Sequence, residues 1–207
     1  SAPRIARARE YRARLEETQK AIAARHWDRN PLSMTRVVME LENVSEKDTC
    51  IVEAGGSGTE GLCQSYMNIG GANKRYIKQS AIVLGWGVGA AFGAQLARPD
   101  VPVVAIVGDG EFMFRGPQPL WSYARYHAPV TVIVANNHSY DNERNRLWQR
   151  GGRQFETGRD MICYNGDPDI DFAKMASSVG VEGEVVLEPA SLRAALERAK
   201  RANAEGR

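Results

Sequence analysis

The sequence predicts an α/β fold: three layers, α/β/α, around a mainly parallel sheet, preceded by N-terminal helices. Three observations carry this. Short apolar runs rich in β-branched residues stand at Cys50–Glu53, Val103–Val107 and Val130–Ala135, the form a strand takes when both its faces are buried. Helix-length segments lie between them, and strands alternating with helices build a parallel sheet covered on both sides. Polar or glycine-rich turns follow each run directly, at the end of the sheet where open α/β proteins hold ligands.

The N-terminal helices take residues 1–45 and the α/β domain residues 46–207, one domain overall. From Ala2 to about Arg25 the pattern is helical, Trp27 to Pro31 breaks it, and Ser33 caps a second helix to about Glu42. Between the apolar runs, helices are expected at roughly Gly58–Met67, Gly87–Ala97 and Pro117–Tyr126. A further helix is expected at Asp171–Ser178, a strand near Glu184–Leu187, and a last helix from about Ser191 to Ala202 that starts at Pro189-Ala190-Ser191.

Composition excludes several classes. With 43% hydrophobic and 25% charged residues in 207, the chain is an ordinary globular one. Arg4, Arg7, Arg9, Arg12 and Arg14 crowd the N-terminus, but Ile5, Leu15 and Ile22 fall among them like the buried stripe of a surface helix, so no nucleic-acid partner is expected. Cys50, Cys63 and Cys163 form no C-x-x-C pair. That spacing encodes neither a zinc site nor an iron–sulfur cluster, and a reducing, cytoplasmic setting is expected. The apolar stretch Ala81 to Ala94 is broken by glycines and too short for a bilayer, and no signal peptide is visible.

Three loops carry chemistry. IVEAGGSGTEGL at Ile51–Leu62 has the G-x-G-x-x-G spacing of a dinucleotide fingerprint, yet from Leu62 to Pro99 there is no Asp or Glu to meet a ribose. A phosphate cradle of backbone N–H groups and an unliganded glycine turn both fit it. VGDGEF places Asp109 between two glycines after a strand, and VANNHSY offers Asn136, Asn137 and the Ser139 carbonyl after the next. Ending consecutive parallel strands, Asp109 and Asn137 face one crevice. One carboxylate, an amide oxygen, a carbonyl, diphosphate oxygens and water suit octahedral Mg²⁺.

GDG, 25 residues, then NN resembles the thiamin diphosphate-binding motif, and the surrounding order resembles the diphosphate-binding domain of the acetolactate synthase, pyruvate oxidase and benzoylformate decarboxylase group. The resemblance runs over nearly the whole chain. It implies the thiamin diphosphate-binding fold, with Asp109, the Asn137 side chain and the Ser139 carbonyl as Mg²⁺ ligands. It implies that Gly55, Gly56 and Ser57 touch the diphosphate, that Gly110 and Glu111 stand where the family offers backbone amides to it, and that Tyr140 lies beside the metal loop. SAIVLGWGVGAA resembles the stretch beneath the thiazolium ring: Leu84 falls on the apolar wedge that bends the cofactor, and a carbonyl near Ile82 receives its amino group. The cofactor then acts as electron sink.

The resemblance further implies a 2-oxo acid decarboxylase, an acetolactate synthase-like ligase or a 2-hydroxyacyl-CoA lyase-like enzyme, taking a small 2-oxo acid, aldehyde or acyl-CoA. A β-like subunit of a 2-oxo acid oxidoreductase and a non-catalytic regulatory subunit are the alternatives. Two departures stand out. The activating glutamate of the family sits on a separate pyrimidine-binding domain, for which 207 residues leave no room, so a partner chain or domain is expected, in a hetero-oligomer or larger homo-oligomer. Glu53 and Glu60 belong to the diphosphate-side loop and do not fill that role. The family also returns to the sheet with an apolar strand where ANAEGR stands here, so the sequence is expected to be either a piece of a longer polypeptide or a separately encoded subunit. His127 ends a helix and reads as a surface residue; His138 lies within the metal loop. Asp141–Asp169, polar and arginine-rich, reads first as solvated loop charge; the alternative is a cover over the cofactor in which Arg144 or Arg153 receives an anionic substrate.

Overall fold

The computed structural model describes the chain except residues 1, 57, 58, 60, 70–74, 80–82 and 161. Its sheet has four strands, β1 (Cys50–Ala54), β2 (Arg75–Lys78), β3 (Val103–Gly108) and β4 (Val130–Ala135). They pair in parallel in the order β2-β1-β3-β4. Parallel pairing follows from helical crossovers between every pair of strands.

Strand periodicity divides the core in two. Val52, Ala54, Val103, Ala105 and Val107 face one side and pack with Val88, Ala91, Phe112, Leu120, Tyr123 and Ala176. These come from α4 (Gly87–Ala97), α5 (Asp109–Arg115), α6 (Gln118–Tyr126) and α9 (Phe172–Ser178). Ile51, Val104 and Ile106 face the other side and meet Val37, Val38, Leu41, Cys63, Leu192 and Leu196, from α2 (Met34–Val44), α3 (Leu62–Tyr66) and α10 (Leu192–Ala204). The three layers are those the runs predict, and Ser33 caps α2 by accepting from the Arg36 N–H.

The chain leaves β1 for β2 on one side and reaches β3 on the other, so the crossover direction reverses between β1 and β3. A crevice opens at the carboxyl ends of strands at such a switch point.

Several expectations are corrected. The strand near Glu184–Leu187 makes no ladder: Glu184 pairs with Arg198 of α10, Val186 joins the second core, and Val185 and Leu187 are exposed. Of the helix expected over Gly58–Met67, Gly58 and Glu60 lie outside the described residues, and α3 starts after Gly61, left-handed at φ 78. The stripe Ile5, Leu15 and Ile22 on α1 (Ala2–His26) is exposed, since α1 stands off the body and buries only Ala23 among its described residues. Strand β2 and helices α5, α7 (Asp141–Arg150) and α8 (Arg153–Thr157) were not expected. Among the described residues no helix is long and apolar enough to cross a membrane.

Helix α4 enters against the sheet at Gly87, where a Cβ would stand 2.6 Å from Ala54 Cβ and 2.8 Å from Val107 Cγ1. We expect Gly87→Ala to destabilise the fold by about 1–3 kcal/mol, the usual cost of overpacking, read as a lowered thermal midpoint.

Candidate functional site

The glycine turn after β1 is held from beneath by Glu53. This carboxylate is 2% exposed. It accepts from the Gly55 N–H at 3.1 Å, the Thr59 hydroxyl at 2.7 Å and the Tyr76 hydroxyl at 3.2 Å, with Lys78 Nζ at 3.9 Å. Both ends of the turn and strand β2 are thereby tied to one buried charge, as such a charge requires. Gly55 and Gly56 lie at the crevice, and Gly55 O reaches to 3.5 Å from where a Gly108 Cβ would stand. Ser57, Glu60 and Ile82 fall outside the described residues.

The turn after β3 is a helix start. Asp109, Gly110 and Glu111 form the first turn of α5, whose amides have no partners within the helix. Asp109 is 2% exposed and meets the Asn165 amide at 3.4 Å. A buried carboxylate so thinly compensated among the described residues suits a cation ligand. No cluster of three or more His, Cys, Asp and Glu that could hold a metal ion exists among the described residues. Glu111 turns its carboxylate inward, accepting from Gly85 N–H at 2.7 Å and Gly87 N–H at 2.8 Å. Its backbone N–H is what remains for a phosphate. Leu84, 38% exposed, directly precedes these amides.

The loop after β4 folds on itself. Asn136 Oδ1 accepts from the His138 N–H and Asn137 Oδ1 from the Ser139 N–H, each at 3.0 Å. Asn137 is exposed and Ser139 buried. A short antiparallel bridge pins this loop: Ser139 faces Tyr164, the Tyr140 N–H donates to Cys163 O at 2.8 Å, and the Asn165 N–H to His138 O at 2.7 Å. Tyr140 packs so closely that a Cβ on Gly110 would lie 2.5 Å from its Cδ1. Burial and the Asp109 charge push the Tyr140 hydroxyl's pKa up. His138 Nδ1 stands 3.5 Å from Asp169, while His127 is exposed at the end of α6.

The structure therefore brings Asp109, Gly110 and Tyr140 into contact and places Gly55, Gly56, Asn137 and Ser139 on the loops around the same crevice. Sequence reading missed Asn165, whose only signal is position, and missed the Glu53 clamp, which a lone acid closing an apolar run does announce. The segment Asp141–Asp169 contains α7 and α8, which meet through an edge-on contact of Trp148 and Phe155 at 5.4 Å between ring centroids. Arg144 is engaged by Asp160 at 2.6 Å, so its charge braces this excursion rather than standing free for an anion.

A doubly covered parallel sheet whose loops converge at a switch point defines a cofactor-binding α/β domain. Residues 57–206 match the family described as thiamine pyrophosphate enzyme, C-terminal TPP binding domain, and the chain belongs to that family. It is 30% identical over 173 residues to 3D-(3,5/4)-trihydroxycyclohexane-1,2-dione hydrolase of Lacticaseibacillus casei, covering 82% of this chain and 26% of that protein. It is 32% identical over 177 residues to a probable acetolactate synthase of Mycobacterium bovis, covering 83% and 30%. The solved thiamine diphosphate-dependent 4-hydroxybenzoylformate decarboxylase of Rhodococcus jostii RHA1 superposes with a TM-score of 0.73 at 28% identity, over 84% of this chain and 31% of that one. The chain thus spans between a quarter and a third of the length of these proteins.

Two outcomes follow from the packing. Gly110→Ala should cost about 1–3 kcal/mol through its clash with Tyr140, and Tyr140→Ala in the same chain should recover part of it, read by thermal unfolding of the single and double variants. Burial, aided by the Glu53 charge, pushes the Cys63 thiol from its ordinary 9.0 to about 12. A raised folded-state pKa stabilises below the unfolded value and is lost above it. Stability should fall as pH rises from 9.0 toward about 12, and less steeply in Cys63→Ala.

Proposed function

We propose that the chain is the thiamin diphosphate- and Mg²⁺-binding part of a lyase or carboligase that breaks or forms a carbon–carbon bond next to a carbonyl. Such an enzyme is a 2-oxo acid decarboxylase, acetolactate synthase-like or 2-hydroxyacyl-CoA lyase-like. The observation that carries this is the pairing of Asp109, buried at the end of β3, with the Asn137 loop at the end of β4, on one crevice. The relatives, a probable acetolactate synthase and a 4-hydroxybenzoylformate decarboxylase, support the reaction class.

In this reading Asp109, the Asn137 side chain and the Ser139 carbonyl hold Mg²⁺. Gly55, whose N–H is already held by Glu53, and Gly56 and Ser57 would line the diphosphate, and the backbone amides of Gly110 and Glu111 would donate to it. Leu84 offers an apolar surface to the ring, and the backbone near Ile82 accepts from its amino group. When bound, thiamin diphosphate supplies the electron sink for the breaking bond. The chain's own contribution is positional: a buried carboxylate fixes the cation, the glycine turn admits the phosphates, and Tyr140 closes the side of the metal loop. An activating glutamate comes from a pyrimidine-binding domain on a partner chain or elsewhere in a longer polypeptide, within an oligomer.

Titration of thiamin diphosphate with and without Mg²⁺, in the intact protein with that domain present, tests the assignment. Wild type should bind in a Mg²⁺-dependent way, and Asp109→Ala with Asn137→Ala should weaken binding by at least about 100-fold, the upper end of what losing even an outer-shell partner costs. Metal-dependent binding that survives the double variant would overturn the site.

A further inference from the structure

The Glu111 side chain joins two parts of the site that the sequence places far apart. It leaves α5 two residues after Asp109 and receives the N–H groups of Gly85 and Gly87, one on each carboxylate oxygen, at 2.7 and 2.8 Å. Both bonds are buried, and the residue is 5% exposed. Short bonds from neutral amides to a buried carboxylate are charge-assisted and directional, so the turn Leu84–Gly87 has one seat on α5.

A second contact fixes the same turn farther along that helix. A Cβ on Gly85 would stand 2.7 Å from Arg115 Cγ and 3.2 Å from Phe114 Cβ. The turn therefore lies along α5 from Glu111 to Arg115, and Leu84 is carried by that seat rather than by core packing, its side chain being 38% exposed.

We propose that Glu111 is a positioning residue that sets Leu84 relative to Asp109, so that one carboxylate fixes the distance between the metal end and the ring end of the bound cofactor. The proposal rests on the cofactor reading above and gives Glu111 a role its backbone amide does not cover. Glutamine at this position has one carbonyl oxygen, and its NH₂ opposes one of the two N–H groups. Glu111→Gln therefore frees the turn without touching the metal ligands.

The test compares two ligands on the intact protein with Mg²⁺: thiamin diphosphate, which reaches Leu84, and inorganic pyrophosphate, which does not. By calorimetry, Glu111→Gln should raise the thiamin diphosphate dissociation constant by about tenfold or more, the loss of one charge-assisted hydrogen bond, and leave that of pyrophosphate unchanged. Equal weakening of both ligands, the mark of a merely structural or diphosphate-side role, overturns the proposal, and so does weakening of neither. Should Glu111→Gln fail to fold, Glu111→Asp keeps the charge on an arm one methylene shorter and is held to the same split. Wild-type protein that binds neither ligand overturns the cofactor reading, and this proposal with it.

Discussion

The register between β1 and β3 is the constraint on which the site depends. Cys50 to Ala54 lie opposite Val103 to Val107 in parallel pairing, and both strands are buried along this length. Because strand side chains alternate between faces, a slip of one residue would turn the Val103, Ala105 and Val107 set onto the face of Val104 and Ile106 and empty both cores at once. The same register brings the glycine turn and the start of α5 to one level. The crevice is thus a by-product of a packing solution that has no slack.

Three buried carboxylates surround that crevice, and their surroundings separate their work. Glu53 collects two hydroxyls, a backbone N–H and a nearby lysine; Glu111 collects two backbone N–H groups. Each is a keystone whose charge is consumed by the fold. Asp109, among the described residues, meets one amide at 3.4 Å. The contrast follows from place. Glu53 precedes its turn and faces the covering helices, Glu111 lies within the first turn of α5 and faces the core, and Asp109 heads the helix at the open end of the sheet.

The β-branched runs made three of the strands legible, because strands covered by helices on both faces are mostly apolar, Glu53 being buried only with its charge fully paired. Strand β2 was not, since Arg75 and Lys78 are exposed and the strand sits at the sheet's edge with one neighbour. Helix α5 hid behind GDG, which reads as a turn until one sees that Phe112 packs edge-on against Phe172 and draws the segment inward. The Glu184–Leu187 segment misled in the opposite direction: its apolar letters satisfy a strand pattern, but its contacts run to α10. Of the site, Asp109 and the asparagine pair were visible as letters after strands. The Asn165 amide was not, because it arrives from 56 positions away through an antiparallel bridge that no local pattern encodes.

That bridge has a consequence for how the chain could vary. Tyr140 and Cys163 are joined by a backbone hydrogen bond at 2.8 Å, so the helical excursion between them leaves and returns at a single point. Its length is then nearly decoupled from the geometry below it: doubling a closed loop costs only about 0.6 kcal/mol in chain entropy. α7 and α8 form a cassette on a fixed hinge pin. Sequence exchange there can remodel the excursion while the Asn136–Tyr140 loop keeps its place.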